Sequence, residues 1–142
     1  MSEPAEHDPD RVRRLIDAWN RRDHHALLSQ AAPDIEYVNS PLAVETGTRR
    51  GRAEYEGVLR AQWEILGDAR LEILELEEIG ADVFVAAQLE RTMPGGGEGR
   101  MQTRIGMRFS FRDGLVVRQE MIPHEELSAA RAAAAARGPA RG

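Results

Sequence analysis

The feature that most limits what this chain can fold into is a change of hydrophobic period shortly before its midpoint. Up to Gly67 the apolar residues recur mainly at helical spacing, and after it they alternate for about fifty residues, broken at Gly80-Ala81-Asp82, Pro94 to Gly99 and Asp113-Gly114. Those breaks predict hairpin turns joining four strands. Asp113-Gly114 is the strongest of them, since both positions tolerate the positive φ of a tight turn. Between Ile73 and Leu74 the apolar parity slips, which predicts a bulge that helps to curve the sheet. From Met101 to Phe111 alternation is clean: Met101, Ile105, Met107, Phe109 and Phe111 face one way, and Gln102, Arg104, Arg108, Ser110 and Arg112 the other. One face of that strand is therefore buried.

The helical part opens with Asp8 as a cap and Pro9 where a missing N–H costs nothing, followed by Val12, Leu15, Ile16 and Trp19 on one face. Asp23 can cap a shorter helix through Ala26, Leu27 and Leu28 that ends by Pro33. Asp34 to Asn39 alternates as a strand, with Ile35, Tyr37 and Asn39 on one side, and a long loop runs from Ser40 to about Arg50. From Arg52 to Leu66 the residues Tyr55, Val58, Leu59, Trp63 and Leu66 mark a third helix, which Gly67 is placed to end. After Pro123 the pattern is helical again but Ala-rich, and beyond Leu127 it has no large side chain to bury, so fraying is expected past Arg131. Helix, helix, strand, helix and antiparallel meander make an α+β layout, with helices on one face of a bent sheet and a cavity on its concave side.

At 142 residues the chain suits one domain, burying roughly two thirds of its unfolded surface without staples. The divisions read as a disordered N-terminus over 1–8, a domain over 9–128, and an Ala-rich extension and tail over 129–142. Cysteine is absent, which excludes disulfides, thiol catalysis and thiolate metal sites. All 19 basic residues are Arg, so Schiff-base chemistry on a lysine is excluded too. The formal charge of -5 opposes nucleic-acid binding. No apolar run reaches the ~18 residues of a membrane span and the acidic start lacks a signal-peptide pattern, so a soluble cytoplasmic protein is expected.

In that order, the segments LIDAWNRRD, DIEYVNSPL, RRGRAEYEGVLRAQW and RFSFRDGLVVRQEM resemble SnoaL-like proteins of the bacterial branch of the nuclear transport factor 2-like superfamily, which also holds ketosteroid isomerase, limonene epoxide hydrolase and polyketide cyclases. The resemblance covers roughly Arg11 to Leu127. It implies a cone-shaped curved antiparallel sheet packed against three helices from the N-terminal half, a pocket inside the cone, and a homodimer through the outer sheet face. The inward register it suggests on the last two strands holds Ile105, Met107, Phe109, Val117, Gln119 and Met121, while Arg104, Arg108, Arg118 and Glu120 point outward.

Matched to ketosteroid isomerase-like chemistry, the tyrosine position falls on Leu15, the base on Ser40 and the buried acid on Met107, so all three groups are missing. Matched to limonene epoxide hydrolase-like chemistry, Tyr37 and Asn39 keep two water-holding groups. The aspartate pair falls near Gln88 and on Met121, and the arginine near Ala86; a shift of two residues makes Glu90 the base. No inward acid then partners Glu90, although epoxide opening needs a proton donor. The alternative for Tyr37 and Asn39 is structural: a buried ring, and a chain turn before Pro41. Cyclases of the family use an Asp/His set, and of His7, His24, His25 and His124 only His124 lies near a plausible rim, where it equally well opens the last helix. His24 and His25 are adjacent and diverge, so no metal site is expected, and PGGGEG lacks the Lys-Ser/Thr of a phosphate loop.

The reading that results is a pocket for a small, largely apolar molecule, with no cofactor and no metal. Trp19, Tyr37, Tyr55, Leu59, Trp63, Phe84, Met107, Phe109 and Met121 would hold the molecule, and Asn39, Gln88, Glu90 and Gln119 would orient it. An enzyme of epoxide hydrolase, isomerase or cyclase type would use Glu90 as base with Tyr37 and Asn39. A non-catalytic dimerisation module with a filled cone is the remaining reading. Volume separates them: a cavity below about 300 Å³, the lower end for ligand sites, would sink the binding reading.

Overall fold

The computed structural model describes residues 7–39, 47–92 and 99–137. Its elements are α1 (Asp8–Asn20), α2 (His24–Ser29), β1 (Ala31–Val38), β2 (Thr48–Arg50), α3 (Arg52–Leu66), β3 (Arg70–Ile79), β4 (Asp82–Thr92), β5 (Arg100–Arg112), β6 (Leu115–Pro123) and α4 (His124–Ala136). The strands form one six-stranded sheet in the order β2-β1-β6-β5-β4-β3. From β3 to β6 it is the antiparallel meander that the alternation predicts, but β1 joins β6 in parallel, so the sheet is mixed. Among the described residues no helix is long and apolar enough to cross a membrane.

Helix α1 buries Val12, Leu15, Ile16 and Trp19, and its cap is His7 rather than Asp8, one residue earlier than the sequence suggested. Asp23 caps α2, its carboxylate accepting from the Ala26 N–H at 3.1 Å. Helix α2 stops at Ser29 and the strand begins at Ala31, so Pro33 lies inside β1 instead of closing the helix. A proline has no N–H for a ladder, and the β1–β6 pairing slips between Ala31 and Glu36 around it. Within the expected loop, Thr48–Arg50 pairs with Glu36–Val38 as β2, while 40–46 lie outside the described residues. So does the turn expected from Pro94 to Gly99, save its last residue.

Two bulges set which side chains face inward. The first falls at Leu74, where the parity slip put it, and returns Leu76 to the inner core beside Leu71 and Ile73. The second lies on β6, where Ser110 pairs with Arg118 but Phe111 pairs with Val116. Val116 is consequently the residue that reaches the core, a correction to the inward assignment of Val117. The turn at Asp113-Gly114 has φ of 54° and 79°, as its sequence requires.

The sheet has an apolar cluster on each face. On the inner face Val83, Val85, Ala87, Met107 and Phe109 pack with Ile35, Tyr37 and the buried sides of α1 and α3. On the outer face Phe84, Ala86 and Ile122 pack with Leu127 and Ala134 of α4. The expected fraying past Arg131 is not seen: α4 runs to Ala136, crossing the boundary drawn at 128. Alanine suffices there because the approach is close. A Cβ at Gly106 would stand 2.8 Å from the Ile122 carbonyl oxygen and 3.2 Å from a Leu127 methyl, so glycine is what lets the helix settle. Arg131 then ties α4 to β3 through Glu75 at 2.9 Å. Any dimer through the outer face has to include α4 or pass beside it.

Candidate functional site

Helices α1, α2 and α3 and the inner sheet face enclose a cavity of about 170 Å³. Trp19, Tyr55 and Leu59 line it from the helices, and Met107, Phe109, Gln119 and Met121 line it from the sheet, all as the sequence predicts. Leu15, Ile16, Leu66, Leu71 and Leu89 complete most of the apolar wall. Gln62 is the wall residue of chemical interest that sequence reasoning missed. It lies on the stripe Tyr55, Leu59, Gln62, Leu66, and an amide interrupting an apolar helical stripe is the signal that marks it.

Three predicted site residues lie on the outer face of β4, and others lie off the lining. Leu89 faces the cavity while Phe84 and Ala86 face α4, and the β4–β5 register is unbroken, so Gln88 and Glu90 share the outer face with Phe84. Glu90 there accepts a 2.6 Å bond from Arg100 Nε. Phe84, Gln88 and Glu90 are therefore not brought together with the other predicted residues at the inner cavity. The cause is that β4 is buried on both sides from Val83 to Ala87, which removes the alternation that would have declared its inner face. Asn39 ends β1, its N–H donating to the Gly47 carbonyl at 3.1 Å, and does not line the cavity. Trp63 packs on the inner core with its ring 6.3 Å from Trp19, outside the lining, and its buried Nε1 has no partner. His124 sits at the start of α4 on the outer side, and His24 and His25 stack on α2 with centroids 4.3 Å apart. Among the described residues no group of three or more His, Asp or Glu is placed to hold a metal.

The polar atoms around the cavity form two short, uncharged chains. Trp19 Nε1 donates to Gln62 Oε1 at 3.1 Å, and Gln62 Nε2 donates to the Tyr37 hydroxyl at 2.8 Å. The Tyr55 hydroxyl donates to Gln119 Oε1 at 3.0 Å. Tyr37 thus stands behind the wall, 6.1 Å ring to ring from Tyr55. Burial pushes the Tyr37 phenol up to about 12 against the small opposing effect of its bond from Gln62, and burial raises Tyr55 as well, assisted by Tyr37. Both phenols are therefore neutral at physiological pH and serve as hydrogen-bond groups, not bases. Among the described residues the lining holds no carboxylate, imidazole or cation, so its polar atoms are ones that orient a ligand by hydrogen bonds.

Solved structures of the same shape come from several bacteria. IdmH, a putative polyketide cyclase from Streptomyces antibioticus, superposes with a TM-score of 0.71 at 21% identity, covering 89% of this chain and 99% of that one. TerC, co-crystallised with polyporic acid, gives 0.70 at 25% identity, covering 87% and 98%. A protein of ketosteroid isomerase-like fold from Catenulispora acidiphila, in complex with trimethylamine, gives 0.70 at 17%, covering 89% and 95%. Among curated proteins none matches the chain. The SnoaL-like domain family model matches residues 12–119, from the first turns of α1 to the inward Gln119. That match, spanning most of the chain and the elements that form the curved sheet and the helices over its inner face, places this chain in the SnoaL-like domain family.

Proposed function

We propose that this SnoaL-like domain binds a small molecule no larger than about one six-membered ring, carrying a hydrogen-bond acceptor, without using a carboxylate of its own to transform it. The observation that carries the reading is Gln119. Its Oε1 accepts from Tyr55, the half-buried residue lines a largely apolar cavity, and its amide nitrogen has no hydrogen bond to another described residue. A ketone, ether or hydroxyl oxygen would complete it.

The volume sharpens the reading at a cost to its first form. At about 170 Å³ the cavity falls under the ~300 Å³ lower end of ordinary ligand sites, so a molecule of usual ligand size does not fit the cavity as it stands. On size alone that result favours the filled cone. Aliphatic cavities of ~150 Å³ do hold benzene, which sets the scale of an occupant here. The enzyme reading loses its base with Glu90 on the outer face. TerC and the Catenulispora protein were crystallised with small molecules, which supports a ligand-binding role for the shared shape.

Cyclohexanone tests it, read through the only two tryptophans, of which Trp19 lines the cavity and Trp63 packs beside it. Saturable quenching is expected, with affinity lowered roughly tenfold in Gln119→Leu, the worth of one well-placed hydrogen bond. Absence of saturation in the unaltered protein would instead establish the filled cone.

A further inference from the structure

A second cleft, of about 420 Å³, opens on the opposite side of the sheet between α4 and the strands β3, β4 and β5. It is larger than the inner cavity and differs from it in charge. We infer that this outer cleft is a binding site for a small organic acid, a single carboxylate carried on a short apolar body.

Two arginines supply the positive charge. Arg104 projects from β5 into the cleft and makes no hydrogen bond or ion pair with any described residue. Arg131 reaches in from α4 with only 21% of its side chain exposed; its Nη1 donates to Glu75, lies 3.9 Å from Glu77, and its buried Nε has no partner. Guanidinium groups take carboxylates in charge-assisted pairs, and both of these keep donors to spare. Against them the lining sets one carboxylate, Glu75, with Glu77 near only through Arg131, while His124 contributes an imidazole. Glu75 and Glu77 already offset Arg131, which leaves Arg104 as the cleft's unmatched charge and suits a monoanion better than a doubly charged phosphate.

The apolar body is implied by the other walls. Leu74 is the bulged residue of β3 and is 37% exposed, one of the few large hydrophobic side chains so open to solvent. It faces Ala86 and Leu127 across the cleft, and Ser128 adds a hydroxyl. An exposed leucine beside the unpaired Arg104 and the spare donors of Arg131 describes an amphiphilic pocket.

Hexanoate is the probe, titrated calorimetrically with hexan-1-ol and inorganic phosphate alongside. The inference expects hexanoate to bind the unaltered protein in preference to both, and Arg104→Gln to weaken it at least tenfold at an unchanged melting temperature, since Arg104 has no partner to lose. Leu74→Ser should weaken it severalfold, and Gln119→Leu in the inner cavity should have no effect. No measurable binding, equal binding to Arg104→Gln, phosphate binding as tight as hexanoate, or loss in Gln119→Leu would each overturn it.

Discussion

The two sides of β4 meet different partners, and the contrast organises the molecule. Inward, Val83, Val85, Ala87 and Leu89 join a core beside a small cavity whose described lining is largely apolar and uncharged. Outward, Phe84 and Ala86 meet an alanine-rich helix, and beyond them the face turns polar through Gln88 and Glu90 and opens a wider cleft with two arginines. A strand sandwiched in this way can place its ionisable residues far from a pocket lying a single peptide away. Charge and cavity are separated by parity alone.

The largest test of that separation compares two phenylalanines. Phe109 and Phe84 are both essentially buried, at 2% and 0% exposure, so either change to Ala should cost about 3–5 kcal/mol by chemical denaturation. The milder Leu variants should then part company. Phe109→Leu enlarges the inner cavity and should admit a two-ring ketone such as 1-indanone, whereas Phe84→Leu should loosen α4 and leave cyclohexanone affinity within about twofold, as distant sites do. Equal effects on ligand from both would break the comparison.

An intermediate effect comes from the phenols. Only two tyrosines occur in the chain, so phenolate absorbance reports Tyr37 and Tyr55 without background. Each is raised above its ordinary value of 10.0 because burial disfavours the charged form. A raised folded-state pKa gives stability that is whole below pH 10 and is lost as pH climbs towards the folded value of about 12 for Tyr37. The loss should amount to roughly 3 kcal/mol from Tyr37 alone, with phenolate appearing together with unfolding rather than before it. Ionisation near pH 10 in the folded protein would show that the tyrosines are wet.

The smallest effect is expected at Glu90. Its bond to Arg100 joins side chains 36% and 47% exposed, so Glu90→Gln should change stability by less than about 1 kcal/mol and leave inner-cavity binding untouched. A tenfold change in cyclohexanone affinity would return this carboxylate to the inner site.

What the sequence made legible followed from period. The buried stripes of α1 and α3, the bulge at Leu74, the Asp113-Gly114 turn and the inward row Met107, Phe109, Gln119, Met121 all carry an unambiguous alternation or helical repeat. The misplacements on β4 share one origin. Alanines beyond Leu127 bear no large side chain, so α4 reads as a helix with nothing to bury, yet Gly106 and Ala86 offer a surface flat enough for alanine to pack on. A helix with nothing to bury is not packed on the sheet, so β4 is read as single-sided and Phe84, Gln88 and Glu90 are drawn inward. The three-residue β2 has too few positions for any period to register, and the slip at Val117 lies beside a turn where one residue reverses parity.

The account rests on an uncharged inner cavity of ring size, and isotope-labelled methionine methyls observe it most directly. Met107 and Met121 line that cavity, while Met101 lies 36% exposed and outside the lining. On titration with cyclohexanone, the methyl resonances of Met107 and Met121 should shift together along one saturable curve while Met101 stays still. Shifts confined to Met101, or none at any of the three, would contradict a ligand site inside the cone.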